Sequence, residues 1–524
     1  MTPVSGPDWV SDAVFYQVFP DRFARSTRVP KPANLEPWDA APTVHGFKGG
    51  DLLGIAEHLD ELKDVGITAL YLTPVFTSAS NHRYHAYEYD HVDPMLGGDD
   101  ALRELVDSAH RRDMRVVLDG VFNHVGRGFW QFHHILENGG QSPYRDWFHV
   151  DPGVLAGRRG LDAYPNERTV TEMRRLETPD DRSSASQRVL GYQAWWDHPA
   201  LPKLNHANPE VRAHVYAIAE KWLRFGIDGW RLDVPQEITE PGFWEEFRGR
   251  CLAVNPDAYL VGEIWYAAPE WLAGDRFHGL MNYPLTEAIL SFVGGRGLDM
   301  AVVKRAEELG RHVHPVDGPE FGRWLSAVMA TYPPDVTAHQ LNLLDSHDTP
   351  RFITMAGGDR AAFRLGTLVQ MTLPGAPSIY YGDEVGLPGA HDPDCRRGFP
   401  WDPVRQDLAQ REYVRGLVAL RHSEPLFRHG RFEVLAGDGS AVAYRLAGEG
   451  EAADRSMVVA LNAGYEPARL RVGVPGSEGF EAKPVSWAGN GWRPAIGAGR
   501  VGGGSIELEL APREGAVVEL RREA

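Results

Sequence analysis

Ile227-Asp-Gly-Trp-Arg-Leu-Asp-Val234 decides the fold. Its mainly apolar run reads as a buried strand, and it delivers Asp233 at the strand's C-terminal end with Arg231 two residues earlier on the same face. Just before it, Asn208 and Pro209 open an amphipathic helix whose Val211, Val215, Ile218 and Trp222 form one stripe, and Gly226 closes that helix. The same step from helix to strand recurs outward. Asp51 caps a helix with Leu52, Ile55, Leu59 and Leu62 inward, Gly66 stops it, and residues 69–74 follow as a strand. A helix from Asp99 or Asp100, with Leu102, Leu105 and Val106 inward, leads into a strand at 115–121. Further strands are predicted at 14–19, 259–264, 279–284, 340–344 and 378–381. Eight strands alternating with helices predict an α/β chain closed as a (β/α)8 TIM barrel.

Two regions break the rhythm. Residues 126–207 are too long, polar and aromatic for an ordinary connection, and are expected to form a subdomain inserted after the third strand. From about Gly430 the helical period gives way to alternation, with strands at 441–446, 456–462 and 468–472 and a turn at 502–505, the pattern of a C-terminal antiparallel β-sandwich. The expected domains are therefore the barrel (1–125 and 208–429), the inserted subdomain (126–207) and the sandwich (430–524).

Composition narrows the partners. A formal charge of −18 disfavours nucleic acid and anionic membranes, which select basic patches. Fifteen Trp, 18 Tyr and 21 Phe suit a neutral, hydroxyl-rich ligand whose apolar faces stack on rings, although most aromatics in any protein belong to the core. The N-terminus lacks a basic segment followed by an apolar one, and no apolar run approaches a membrane span. Only Cys251 and Cys395 are present, which argues for a reducing compartment, so a cytoplasmic protein is expected.

Three acids stand at or just beyond strand ends: Asp233, Glu263 in Val-Gly-Glu-Ile-Trp265, and Asp348 in Ser-His-Asp-Thr349. Retaining cleavage of a glycosidic bond needs a carboxylate nucleophile and a carboxylic acid about 5 Å apart. Asp233, paired with Arg231, is expected to stay ionised. Glu263, buried beside Trp265 and near Asp233, is expected to hold a proton at working pH. Asp348 would stabilise the cationic transition state or grip hydroxyls. His133 and His134 lack further ligand-like partners, so no metal is expected, and no nucleotide fingerprint points to an organic cofactor.

Four short motifs occur in order: Asp119-Gly-Val-Phe-Asn-His124, Gly229-Trp-Arg-Leu-Asp233, Gly262-Glu-Ile-Trp265 and Leu344-Asp-Ser-His-Asp348. With them the chain resembles the α-amylase family, glycoside hydrolase family 13. The resemblance implies Asp233 as nucleophile, Glu263 as general acid/base and Asp348 as transition-state stabiliser. It places His124, Arg231 and His347 on the sugar at the cleavage subsite, Tyr84 beneath it as a stacking platform, and Trp265 as an acceptor-side wall. Asp119 is implied to be largely structural. The family's calcium asparagine matches Asn123 without an identifiable partner, and the expectation here is no calcium.

Leu201-Pro-Lys-Leu-Asn205, Gly279-Leu-Met-Asn-Tyr-Pro284 and Asp392-Pro-Asp-Cys-Arg-Arg397 resemble the neopullulanase, cyclomaltodextrinase and maltogenic amylase group. By that likeness Asp392 and Arg396 bind a more distant sugar; a surface ion pair is the other reading. The group cleaves α-1,4 bonds in cyclodextrins, short maltooligosaccharides and pullulan, often with some α-1,6 cleavage and transfer. The expected substrate is a cyclic or short maltooligosaccharide, cyclic maltosyl-maltose included. The first strand begins near Val14, so the group's N-terminal β-domain is expected to be missing, and a monomer or a homodimer remains open. Val234-Pro-Gln-Glu237 departs from the group beside the acceptor sugar, which leaves the balance of α-1,4 and α-1,6 cleavage open. A transglycosylase or isomerase, an exo-α-glucosidase and a non-catalytic carbohydrate-binding protein are the alternatives.

Overall fold

The computed structural model describes residues 6–176, 184–306, 308–477, 479–487, 489, 499–500 and 504–522. Eight parallel strands form one sheet: β1 (Phe15–Val18), β2 (Ala69–Leu72), β3 (Arg115–Gly120), β4 (Gly229–Leu232), β5 (Tyr259–Gly262), β6 (Gly279–Leu280), β7 (Leu341–Leu343) and β8 (Ala376–Tyr380). Neighbours run from β6 through β1 to β8 and β7, and a parallel bridge between Met281 and Leu341 joins the two ends. The sheet is thus a closed barrel, and every strand residue except Arg115 is buried, as strands covered by helices require. Gly229 admits the close packing of β4 on β5, since a Cβ there would lie 2.2 Å from the Tyr259 carbonyl oxygen.

Local chemistry sets most element ends. Asn208 accepts the Glu210 amide at 2.8 Å to start the Pro209–Phe225 helix, and Gly226 ends it with φ 117°. Asp51 accepts the Gly54 amide at 2.7 Å, but the helix it opens breaks at His58 into Leu52–Glu57 and Leu59–Val65. The next helix starts at Gly98, because Asp99 turns back to the Val92 amide at 2.8 Å and does not cap it. β6 is shorter than its apolar run predicts: Asn282 accepts the Leu285 amide at 3.4 Å and begins the Tyr283–Gly294 helix.

Between β3 and β4 lie the helices Trp130–Asn138, Pro152–Leu155, Glu167–Leu176 and Ser184–Leu190, tied by short bridges such as His124 to Lys203 and Ala194 to Pro202. Beyond the barrel, β9 (Arg431–Asp438), β10 (Ala441–Ala447), β11 (Arg455–Asn462), β13 (Glu481–Val485), β14 (Gly499–Arg500) and β16 (Glu514–Arg521) form an antiparallel sheet. It faces a second sheet of β12 (Ala468–Gly473) and β15 (Ser505–Leu510). Alternation assigns the two faces. Val442, Tyr444, Leu446, Val459, Leu461 and Val517 join the barrel's core, whereas Ala443, Val458, Ala460, Val518 and Leu520 fill the sandwich. Residues 502 and 503 of the predicted turn lie outside the described residues. Among the described residues no helix is long and apolar enough to cross a membrane.

Arg421 bolts the end of the barrel together. It is fully buried, and its guanidinium donates to the carbonyls of Met371 (3.0 Å), Leu373 (2.9 Å), Gly375 (2.6 Å) and Phe427 (3.4 Å). Arg421→Met keeps the apolar stem and leaves these acceptors unpaired, so denaturant unfolding should show a loss of roughly 3 kcal/mol. An unchanged unfolding midpoint would contradict the bolt.

Candidate active site

Strand order brings the acids to one rim. Asp119 is the fifth residue of β3, while Asp233 and Glu263 directly follow β4 and β5; Asp348 lies just beyond β7. Arg231 joins three of them from inside the barrel. Its Nη1 donates to Asp119 Oδ1 at 2.9 Å and to Asp233 Oδ1 at 3.0 Å. Its Nη2 lies 2.8 Å from Glu263 Oε1, close but off the hydrogen-bonding direction. Arg231 and the three carboxyls it contacts are buried, whereas Asp348 is exposed.

Burial costs the charged carboxyls solvation, and one guanidinium cannot neutralise three of them. Burial raises Glu263 from 4.5 to about 7; Arg231 opposes the shift, and the charges of Asp348 and Asp119 add to it. Burial also drives Asp233 well above the usual carboxylate range against the pull of Arg231, with Glu263, Asp119 and Asp348 adding to the rise. Arg231 therefore pairs with Asp233 as the sequence predicts, but the pairing is shared. Trp265 stacks on Tyr283 with centroids 3.7 Å apart and planes 7° apart.

Asp119 does more than fill a structural position. Its Oδ2 accepts the hydroxyls of Tyr71 at 2.7 Å and Tyr84 at 2.8 Å, so the same carboxylate anchors Arg231 and the Tyr84 ring. Tyr84 stacks on His347 with centroids 5.1 Å apart and planes 7° apart. The two histidines are set alike. Gln17 Nε2 donates to His347 Nδ1 at 2.8 Å, and Asn123 Nδ2 donates to His124 Nδ1 at 3.2 Å. Burial keeps both rings neutral: His347 falls well below its ordinary value and His124 to about 3. Each ring then carries its proton on Nε2, which has no hydrogen-bond acceptor among the described residues. His347 Nε2 does lie 3.1 Å from Asp348 Oδ2, out of line for a hydrogen bond.

Asp348 is held from outside the barrel. Arg396 places Nη2 at 3.3 Å from Asp348 Oδ1 and Nη1 at 3.0 Å from Asp392 Oδ1, while its Nε donates to the His347 carbonyl at 2.8 Å. Asp392 and Arg396 thus form an ion pair that reaches a rim acid. Gln17, Tyr71 and Val234 are site residues that the sequence reading missed. The only signal for Gln17 was a polar residue inside an apolar strand. Val234 holds φ 36°, a left-handed conformation that strains a β-branched residue, and its amide donates to Glu263 Oε2 at 3.2 Å. No three Asp, Glu, His or Cys side chains among the described residues converge at metal-ligand spacing, and the Asn123 amide is turned to His124.

Three findings relate this rim to known proteins. The family pattern of the α-amylase catalytic domain matches residues 17–422. A cyclomaltodextrinase of Geobacillus thermopakistaniensis is 41% identical over 434 residues, 82% of this chain and 66% of that protein, so the chain spans about two thirds of its relative. Among solved structures, the native Nostoc punctiforme debranching enzyme is 42% identical with a TM-score of 0.84, covering 99% of this chain and 100% of its own. The cyclic α-maltosyl-(1→6)-maltose hydrolase of Arthrobacter globiformis, complexed with that sugar, is 33% identical with a TM-score of 0.80, covering 98% and 100%. A closed eight-stranded barrel, acids gathered at its rim and a match over most of its length place this chain in the α-amylase family of glycoside hydrolases.

Proposed function

We propose that the chain is a retaining α-glucan hydrolase of cyclic and short maltooligosaccharides, with Asp233 as nucleophile, Glu263 as general acid/base and Asp348 as transition-state stabiliser. The observation that carries it is the sharing of Arg231. Two carboxyls placed 3.0 and 2.8 Å from the two terminal nitrogens of one guanidinium are close neighbours, which supports the retaining geometry, where the carboxyls stand about 5–5.5 Å apart. Arg231 makes its in-line hydrogen bond to Asp233 and only an off-line contact to Glu263. When the pair holds one proton, that difference puts the negative charge on Asp233 and the proton on Glu263.

Glu263 gives its proton to the glycosidic oxygen as Asp233 Oδ2, buried and without a hydrogen-bond donor among the described residues, attacks the anomeric carbon. The leaving chain departs with that proton, and a glycosyl ester remains on Asp233. Glu263, now a carboxylate, takes a proton from water; the oxygen attacks the anomeric carbon, and Asp233 leaves as a carboxylate. Nε2–H of His124 and His347 would donate to sugar hydroxyls, and the Tyr84 ring would support the sugar face. Asp392, through Arg396, would fix Asp348.

The cyclomaltodextrinase and the Arthrobacter hydrolase of cyclic α-maltosyl-(1→6)-maltose support ring opening, and the Nostoc debranching enzyme supports cleavage at α-1,6 branch points as a second activity. The free, buried Cys251 and Cys395 suit a reducing compartment and support a cytoplasmic place of work. The domain limits proposed are 1–125 with 208–429, 126–207, and 430–524.

Purified protein offered β-cyclodextrin, cyclic maltosyl-maltose, maltotriose, pullulan and starch separately should open a ring faster than it attacks starch. Faster attack on starch would contradict the substrate class. In the same assay Asp233→Asn should lower turnover by at least about 10⁴-fold with sugar binding retained. Since Glu263 must be protonated for the first step and titrates at about 7, kcat/KM should fall about tenfold per pH unit above 7, and it should fall again at acid pH as a second proton reaches Asp233. Glu263→Gln should abolish the alkaline limb and hurt ordinary glucans far more than an aryl glycoside with an activated leaving group. Equal losses on both would remove Glu263 from the acid role.

A further inference from the structure

A second buried guanidinium stands behind the rim. Arg351, three residues beyond Asp348, is completely buried, and the chemistry described above does not use it. Its guanidinium carbon lies 4.1 Å from the ring centre of Tyr380, at the end of β8, and 4.8 Å from that of Tyr381. Nη1 donates to Asp383 Oδ1 at 3.0 Å, and Nε donates to the Cys395 carbonyl at 3.1 Å. Its own amide donates to the Gly389 carbonyl at 2.9 Å. One residue of the loop after β7 thus grips the segment after β8 at three points.

A buried cation needs compensating charge, and two carboxyls supply it. Asp383 is joined by buried Asp345, whose Oδ2 accepts the Phe352 amide at 2.6 Å. Burial raises both carboxyls, that of Asp383 well above the usual carboxylate range, with the charge of Asp345 adding to the rise. The pair therefore holds a proton, and its remaining charge balances Arg351.

What Arg351 grips leads to Asp348. Cys395 is followed by Arg396, whose Nε donates to the His347 carbonyl at 2.8 Å and whose Nη2 donates to Asp348 Oδ1 at 3.3 Å. The Cys395 thiol donates to the same His347 carbonyl at 3.4 Å. Asp348 is exposed, and among the described residues Arg396 is the only side chain that donates a hydrogen bond to it. An exposed carboxylate with one donor takes its position from that donor, and this donor follows directly on the Cys395 carbonyl that Arg351 fixes.

We infer that Arg351 is a positioning residue for the hydrolysis: by gripping Asp383 and the Cys395 carbonyl it sets Arg396, and through Arg396 it sets Asp348 at the cleavage point. The inference rests on the proposed role of Asp348 as transition-state stabiliser. Arg351 is sealed from any sugar by its burial, so its contribution appears in kcat and not in KM.

The test is a double-mutant cycle on the α-glucan that the native protein turns over fastest, with kcat expressed per folded protein from near-ultraviolet circular dichroism. Arg351→Lys keeps the charge but loses the planar fork that holds two acceptors at once, and should lower kcat about thirtyfold with KM within about threefold. Arg396→Met should lower kcat to a similar extent. Arg351→Lys added to Arg396→Met should cost no more than about a further threefold, because both changes release the same carboxylate. A residue that only supported the fold would give losses that multiply. Asp383→Ala removes one anchor of Arg351 and should repeat the kcat loss, whereas Asp383→Asn, whose carbonyl oxygen still accepts from Nη1, should restore most of it; these two variants carry the test if Arg351→Lys does not fold. Native kcat in Arg351→Lys or in Asp383→Ala, or losses that multiply with Arg396→Met, would overturn the positioning role alone. A native protein inactive on every α-glucan offered, or an Asp348→Asn variant with native kcat, would overturn the reading of the rim and the positioning role with it.

Discussion

A single buried guanidinium organises the catalytic rim. Arg231 contacts Asp119, Asp233 and Glu263 at 2.8–3.0 Å from a fully buried position inside the barrel, where charges interact strongly. Removing the cation would leave several buried carboxyls uncompensated, so these acids depend on it to share one site. Its shortage of charge matters as much as its presence. One cation among three carboxyls leaves the cluster holding protons readily, which is what a general acid at neutral pH requires.

The surrounding structure serves that arrangement. Asp119 anchors Arg231 on one side and the hydroxyls of Tyr71 and Tyr84 on the other, so the Tyr84 ring and the rim acids share a foundation. Gln17 and Asn123 fix the two histidines in the same tautomer, leaving Nε2–H of each for a ligand. Val234 bears backbone strain next to Asp233 and supplies an amide to Glu263. Strain held by a rigid barrel at its C-terminal rim is strain spent on preorganisation, which is where such folds place their chemistry.

Much of this was legible in the sequence because it follows from periodicity and local chemistry. Apolar runs of barrel length, the Asn208 cap, and Gly66 and Gly226 at helix ends each act over a few residues. The three acids at strand ends were legible for the same reason. Eight strands were enough to predict a closed barrel, but what depends on distant partners was not disclosed, beginning with the bridge between Met281 and Leu341 that joins the sheet's ends. The pairing of Arg396 with Asp348 spans 48 residues, and that of Arg231 with Asp119 spans 112. Gln17 looks like an intruder in its strand until His347 arrives from 330 residues away. The left-handed turn at Trp196 and Asp197 sits in an insertion with no period to read.

The most direct test of the shared guanidinium is stereochemical. In the proposed mechanism, two carboxyls gathered on one arginine leave no room for a water between Asp233 and the sugar, so hydrolysis would pass through the Asp233 ester and conserve configuration. Proton NMR of the first turnovers on β-cyclodextrin or maltotriose, recorded before mutarotation, should show the α-anomer of the new reducing end appearing first. The β-anomer first would mean direct attack by water across a wider gap, and would contradict the account of Arg231, Asp233 and Glu263 given above.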